Sequence, residues 1–368
     1  MKKIGFVGWR GMVGSVLMER MKQEGDFVSI DPVFFTTSQL GKEGPDIGKL
    51  ISSLQDAYNI DCLKEMDIIV SCQGSDYTKR VFPSLRESDW DGVWIDAASE
   101  LRMRDDSIII LDPVNKNIID KALDQGVRNF IGGNCTVSLM LMAIGSLLQQ
   151  NLVEWVSVMT YQAASGAGAR SMIELINQMG CIKAAAKIGQ TDPASTILEI
   201  DQKVTEALLS PEFPRLQFGV PLAGSVIPWI GNELDGGQSC EEWKGQAEAN
   251  RIMGYQQGYV AIDGICVRIG AMRSHSQALT LKLRRDIPID DIEGMITESC
   301  RWVSVVSNLR DETMSRLTPA VVSGTLSIPV GRLRKMNMGP EYLSAFIVGD
   351  QLLWGAAEPL RRMISMLI

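Results

Sequence analysis

The chain has 368 residues, 45% of them hydrophobic and 22% charged, with 36 Lys and Arg against 44 Asp and Glu for a formal net charge of −8. That length suggests two domains, and that composition can bury a full core. An acidic balance with no offsetting basic stripe argues against a nucleic-acid or acidic-membrane partner.

Seven cysteines (62, 72, 135, 181, 240, 266 and 300) are scattered without a C-x-x-C pair and accompany a single histidine, His275, so no metal site is expected. The opening Met1-Lys-Lys-Ile-Gly5 runs into a strand pattern, so no signal peptide and a cytoplasmic location are expected. The most apolar stretch, 136–148, is short of the ~20 residues that span a bilayer.

In chain order, residues 3–8 read as a buried strand and 12–22 as an amphipathic helix. Strands follow at 33–36, 67–72, 93–96, 107–111 and 129–131, with helical patterns between them. Continuous β-branched runs alternating with helices predict a parallel sheet covered on both faces, a Rossmann-type doubly wound α/β domain. The pattern changes near residue 133. Strands are predicted at 155–164, 260–268, 278–283, 325–336 and 342–348, and helices at 171–179 and 194–209. Their alternation suits an α+β domain with a mostly antiparallel mixed sheet. A helical tail, 351–367, carries Pro359, which predicts a kink or a new first turn there. The tail's apolar side (Leu352, Leu353, Leu360, Met363) needs a surface to cover it.

Between the first strand and first helix lies Gly5-Phe-Val-Gly8-Trp-Arg-Gly11-Met-Val-Gly14. With shifted spacing it resembles the fingerprint that brings backbone up to a pyrophosphate at a helix N-terminus. Glycine motifs alone are often only tight turns. The second strand ends Phe34-Phe35-Thr36-Thr37-Ser38-Gln39, with hydroxyls where an NAD site has a carboxylate for the ribose. Arg10 lies in the glycine loop. Hydroxyls plus an arginine suit a 2′-phosphate, which favours NADP; the alternative is that Arg10 is a solvated surface residue.

Cys135 sits in Gly132-Gly133-Asn134-Cys135-Thr136, between a short apolar stretch and a long apolar run. A thiol at a helix start meets unpaired N–H groups and the positive end of the helix dipole, which predicts a lowered pKa and a reactive thiolate. His275 is then the imidazole available for proton transfer near neutral pH. Taken alone, the two residues are better read as an inert buried thiol and a satisfied polar ring. A nicotinamide domain followed by such a cysteine and a late histidine points to aldehyde oxidation or acyl-phosphate reduction through a thioester.

At this point a resemblance becomes specific. The runs Gly8-Trp-Arg-Gly-Met-Val-Gly-Ser15, Phe34-Phe-Thr-Thr-Ser-Gln-Leu-Gly41, Ile95-Asp-Ala-Ala-Ser99, Gly132-Gly-Asn-Cys-Thr-Val-Ser-Leu-Met140, Tyr161-Gln-Ala-Ala-Ser-Gly166, Gly219-Val-Pro-Leu-Ala-Gly224, Glu241-Glu-Trp-Lys-Gly-Gln246 and Val348-Gly-Asp-Gln-Leu-Leu-Trp-Gly-Ala-Ala357 resemble the aspartate-semialdehyde dehydrogenase family, in the form typical of Gram-negative bacteria. The resemblance implies the reversible reaction L-aspartate 4-semialdehyde + phosphate + NADP⁺ ⇌ 4-aspartyl phosphate + NADPH, on the route to lysine (through diaminopimelate), methionine and threonine. It implies Cys135 as the acyl-carrying nucleophile and His275 as the acid/base. Gln162 and Arg268 would orient the substrate, Glu241 would face its ammonium, and Arg102 and Lys244, helped by Asn134, would hold phosphate. Gly8, Arg10, Gly11, Met12, Val13, Thr37, Ser38, Gln73, Ser165, Gly166, Pro193 and Gln351 would contact NADP. It further implies an NADP-binding domain at 1–133, a catalytic and dimerisation domain at 134–351, a tail at 352–368 returning to the first domain, and a homodimer formed through the second sheet.

Blander alternatives stand beside these. Ser239-Cys-Glu-Glu242 is a capping box, so Glu241 and Lys244 fit an ordinary i,i+3 surface pair. Arg102 fits a solvated charged turn, and Ser165-Gly-Ala-Gly168 a plain loop before a helix. The rival functions are another acyl-phosphate reductase such as N-acetylglutamyl-phosphate reductase, whose acylated amine cannot pair with Glu241, a silent Rossmann-type binding protein, and a thiol hydrolase, which leaves the glycine loop unexplained.

Overall fold

A computed structural model describes residues 1–190 and 196–368. The first seven strands are β1 (Lys2–Val7), β2 (Ile30–Thr36), β3 (Gln55–Asp56), β4 (Ile68–Ser71), β5 (Val93–Asp96), β6 (Ser107–Ile110) and β7 (Asn129–Gly132). They form one sheet in the order β3-β2-β1-β4-β5-β7-β6, and every pairing is parallel. Helices α1 (Met12–Gln23), α2 (Ile60–Lys64), α3 (Ser75–Glu87) and α4 (Asp112–Asp124) connect them. Two apolar clusters cover the sheet's faces, one around Phe6, Phe34, Val70 and Phe130, the other around Phe35, Ile69 and Trp94. β2 starts at Ile30, three residues ahead of the predicted strand. Pro32 disguises the start, and it is tolerated because β3 reaches only Phe35 and Thr36, leaving a free edge at Pro32.

Helix α5 (Cys135–Gln149) leaves β7 after a two-residue connection. It is apolar all round, and from Thr136 to Leu148 only Ser146 is less than buried, as a helix enclosed on every side requires. What encloses it is a second sheet, built from β8 (Val153–Gln162), β9 (Val226–Ile227), β10 (Ala261–Ile269), β11 (Ser274–Leu283), β12 (Val303–Val305), β13 (Ile328–Met336) and β14 (Gly339–Asp350). The order is β12-β13-β14-β11-β8-β10-β9, mixed but mostly antiparallel. Helices α6 (Ala169–Gln190), α7 (Ile197–Leu209), α8 (Cys240–Ile252), α9 (Ile289–Ser299), α10 (Arg310–Arg316) and α11 (Pro319–Val322) complete this half. The predicted helix at 194–209 begins at Ile197 with a Thr196–Glu199 capping box; positions 194 and 195 lie outside the described residues.

β11 begins at Ser274 rather than at the predicted 278. Its first residues, Ser274, His275, Ser276 and Gln277, are all polar and all buried. No apolar alternation announces a strand whose end lines a polar site.

The tail runs as a π-helical segment, Leu353–Ala357, and then α12 (Glu358–Leu367), with Pro359 in the first turn where its missing N–H costs nothing. Trp354 packs in the core around α5, whereas Leu360, Met363 and Ile364 join the core of the first sheet. Ion pairs tie α12 to that half: Glu358 to Arg20 at 3.0 Å, Arg361 to Asp26 at 3.0 Å and Arg362 to Asp112 at 2.8 Å. Among the described residues, no helix is long and apolar enough to cross a membrane.

Candidate active site

The glycine loop closes over the switch point between β1 and β4. Gly8 has φ +74°, and a Cβ there would lie 2.5 Å from the carbonyl carbon of Cys72. Gly14 is equally confined, since its Cβ would lie 2.2 Å from the Gly8 carbonyl oxygen. Only glycine allows this crossing. No side chain caps the start of α1, so its first-turn N–H groups are left for an anion. This cradle fits a dinucleotide pyrophosphate, which is where an open α/β sheet binds one. Met12 and Val13 line the cavity below it.

At the end of β2, the Thr36 hydroxyl accepts the Ser38 and Gln39 N–H groups at 3.2 and 3.1 Å. The turn leaves Thr37 and Ser38 exposed. Arg10, also exposed, donates to the Ser38 hydroxyl at 3.3 Å and lies over the Trp9 ring. Gln73 is exposed just past β4. Pro193 lies outside the described residues.

A cavity of about 480 Å³ continues from this cradle into the second half. Cys135, Asn134, Arg102, Gln162, Ser165, Gly166, Glu241, Lys244, Arg268 and Gln351 all line it. The structure thus gathers residues from β8, α5, α8, β10 and the loop after β5. Gln351 donates to the Ser165 hydroxyl at 2.9 Å, which donates to the Arg273 carbonyl at 2.9 Å.

Cys135 Sγ lies 3.3 Å from His275 Nε2. The Ala163 backbone N–H donates to His275 Nδ1 at 3.0 Å. An amide N–H can only donate, so Nδ1 is the acceptor and the neutral ring carries its hydrogen on Nε2, toward the sulfur. The same amide opposes protonation of Nδ1. Burial, with Arg268 nearby, pushes the imidazole down to about 3. His275 is therefore a neutral donor to Cys135 across the neutral range, not a cation.

The thiol departs from its sequence-based expectation. Burial pushes Cys135 up to about 12 and Glu241 adds to the rise, against Arg268, Arg102 and Lys244, which favour the thiolate. The helix N-terminus does place the sulfur, but desolvation of the charged form outweighs the three neighbouring cations.

Around the sulfur the polar groups are interlocked. Asn134 is the N-cap of α5, accepting from the Thr136 and Val137 N–H groups at 2.9 and 3.3 Å, and its amide donates to Glu241 at 2.9 Å. Glu241 also accepts from Gln162 at 3.2 Å and from Lys244 at 3.1 Å. Burial alone would raise the Glu241 carboxyl, yet Lys244 and these hydrogen bonds hold it below the usual carboxylate range. Burial would likewise lower Lys244, but Glu241 outweighs it and raises the ammonium. The capping box of α8 and the i,i+3 pair are both real, and both paired side chains face the cavity. Arg268 donates to the Ala163 carbonyl at 2.8 Å, and burial lowers its pKa.

Arg102 is no solvated turn residue: it is buried and donates to the Gly132 carbonyl at 2.7 Å, the Gly133 carbonyl at 3.1 Å and Glu248 at 3.1 Å. The Glu248 carboxylate also takes the Asn134 backbone N–H at 2.7 Å. Glu248 and Gly355 are not among the candidate site residues, although Gly355 lies within the run 348–357 that carries the resemblance. Gly355 packs on Cys135 so closely that a Cβ at 355 would lie 2.7 Å from the Cys135 Cβ. The signal for Glu248 is its spacing from Glu241 and Lys244; for Gly355 it is only membership of that run.

Two family patterns match this chain. Residues 3–122 match the semialdehyde dehydrogenase NAD-binding domain, and residues 144–354 match the semialdehyde dehydrogenase dimerisation domain. Among solved structures, the chain is similar to aspartate semialdehyde dehydrogenase from Francisella tularensis, at 46% identity over 100% of both chains and a TM-score of 0.94. It is 21% identical to aspartate semialdehyde dehydrogenase II complexed with ASA from Vibrio cholerae, with a TM-score of 0.77 over 100% of this chain and 98% of that one. Aspartate semialdehyde dehydrogenase with NADP from Candida albicans is 15% identical, with a TM-score of 0.65 and the same coverage. The last two establish likeness of fold alone.

Proposed function

The chain belongs to the aspartate-semialdehyde dehydrogenase family, and from that premise we propose that it interconverts L-aspartate 4-semialdehyde and 4-aspartyl phosphate with NADP(H), through a thioester on Cys135, in the biosynthesis of lysine, methionine and threonine. The observation that carries the mechanism is the 3.3 Å approach of His275 Nε2 to Cys135 Sγ, which lines a cavity with Arg268, Glu241 and Arg102.

In the oxidative direction Cys135 Sγ adds to the aldehyde carbon as its thiol proton passes to the carbonyl oxygen, and the Nε2 hydrogen of His275 meets that oxygen as charge develops on it. The nicotinamide supplies hydride-accepting chemistry when bound. Loss of hydride from the hemithioacetal carbon, with the hydroxyl proton released to solvent, leaves a thioester, which phosphate attacks at the carbonyl, releasing 4-aspartyl phosphate and, with the proton that phosphate gives up, the Cys135 thiol. Arg268 serves as the clamp for the α-carboxylate, Gln162 as a second orienting group, and Glu241 as the acceptor for the ammonium. Lys244, Arg102 and Asn134 hold the phosphate. Arg10, Thr37 and Ser38 read the 2′-phosphate, a reading supported by the absence of any carboxylate among them.

The direct test is NADPH formation, followed spectrophotometrically, from aspartate semialdehyde, phosphate and NADP⁺. Turnover that requires phosphate supports the reading. Turnover of the N-acetylglutamyl analogue instead, or none with either, overturns it.

We also propose a homodimer. Ile265, Met159, Ala278 and Phe346 stand in one row across β10, β8, β11 and β14, with Ile265 48% exposed. An uncovered apolar sheet face of this kind marks an interface. Ile265→Glu should convert a dimer to monomer by light scattering. A wild-type monomer at micromolar concentration would refute the assembly.

A further inference from the structure

We propose that Glu248 is a positioning residue for the phosphate half of the reaction, holding Arg102 and the nucleophile's helix cap in one geometry. The proposal rests on the reading of Arg102 and Asn134 as phosphate-holding groups. Glu241, Lys244 and Glu248 follow one another at i, i+3 and i+7, which places all three on one face of α8. Glu241 and Lys244 line the cavity, and Glu248 lies behind them, 2% exposed and outside the lining. It does not reach a ligand, but it holds two groups that adjoin the cavity.

One carboxylate oxygen accepts Arg102 Nη1 at 3.1 Å and the other accepts the Asn134 N–H at 2.7 Å. Both partners are donors, so only a group with an acceptor at each end fits between them. A glutamine would turn its amide nitrogen on one of them. The remaining contacts of Arg102 complete the fixation. Nε donates to the Gly132 carbonyl, and Nη2 to the Gly133 carbonyl at 3.1 Å and the Ala97 carbonyl at 3.4 Å. With Glu248 taking one Nη1 hydrogen, four of the five guanidinium donors are committed, and the fifth, also on Nη1, is left for a ligand. The other oxygen of Glu248 anchors the residue immediately before Cys135. One buried carboxylate thus sets the plane of the phosphate-binding arginine relative to the thioester carbon, across 114 and 146 residues of sequence.

The test is Glu248→Gln in the full-length enzyme, with Glu248→Asp as the second variant, which keeps the charge but shortens the reach. KM for phosphate should rise by about ten- to a hundredfold in Glu248→Gln, with KM for NADP⁺ within about twofold of wild type. The first-turnover burst of NADPH, which precedes phosphate attack, should persist while steady-state turnover falls. Combining Glu248→Gln with Arg102→Lys should add little beyond the worse single variant. If Glu248→Gln fails to fold, the same split between burst and phosphate KM is read in Glu248→Asp. An unchanged phosphate KM, or an equal loss of burst and turnover, overturns the proposal. A wild-type enzyme without phosphate-dependent NADPH formation overturns instead the reaction on which it rests.

Discussion

Beside the glycine loop, Arg10, Thr37 and Ser38 are exposed, lie 28 residues apart or less, and share one hydrogen bond of 3.3 Å. At the catalytic end, Arg102, Asn134, Glu241, Glu248 and Arg268 are buried and joined by bonds that span more than a hundred residues. The first region is a mould of backbone, set by glycines that leave no room for a Cβ. The second is a lattice of charges, each of which would be costly to bury without the next. A change at the exposed end should therefore alter the affinity for one cofactor, whereas a change at the buried end should alter a step of the reaction itself.

The largest expected effect is at the nucleophile. Cys135→Ser should lower turnover by roughly 10³-fold or more while leaving the fold intact, because a serine alkoxide is far harder to form than a thiolate. Steady-state rates beside a circular dichroism spectrum decide it, and substantial residual activity would count against covalent catalysis.

Gly166 tests how tightly the buried lattice is packed. A Cβ there would lie 2.7 Å from Arg268 Nη1 and 3.2 Å from His275 Cε1. Gly166→Ala should displace both and lower kcat/KM for the semialdehyde by roughly 10²-fold. A loss confined to the NADP⁺ affinity would mean that Gly166 serves the cofactor alone.

Arg10→Ala probes the exposed end. It should weaken NADP⁺ by roughly one to two orders of magnitude and leave NAD⁺ nearly unchanged. Equal losses for the two cofactors would show that Arg10 supports the loop or the pyrophosphate rather than the 2′-phosphate.

The smallest effect is thermodynamic. His275 is fully buried and held neutral, with its pKa lowered to about 3. Its contribution to stability is therefore complete above the unfolded value of about 6.5 and is lost as pH falls toward 3. Relative to His275→Asn, the wild type should lose about 2 kcal/mol between pH 7 and pH 5 in urea unfolding. Parallel losses in the two proteins would mean that His275 protonates freely in the folded state.

By itself the sequence determined the elements whose pattern is local. The parallel strands of the first sheet, the glycine turn at Gly8, the apolar helix behind Cys135 and the break at Pro359 follow from periodicity, backbone freedom and a missing N–H, each of which acts within a few residues. The tertiary structure alone decided what depends on groups far apart in the chain. It placed His275 in a strand with no apolar alternation to announce it, because the polar side chains there meet protein groups distant in the chain, His275 the Cys135 sulfur and the Ala163 N–H, Ser274 the Ser323 hydroxyl and Gln277 the Thr136 carbonyl. It reversed the direction of the Cys135 shift, because desolvation depends on everything packed around the sulfur, whereas a helix dipole can be read from one helix. It brought Gly355 against Cys135 and Glu248 between Arg102 and Asn134. A carboxylate on a helix face looks the same in sequence whether it meets water or two buried donors, and only the packing of α8 against the loop after β5 distinguishes the two.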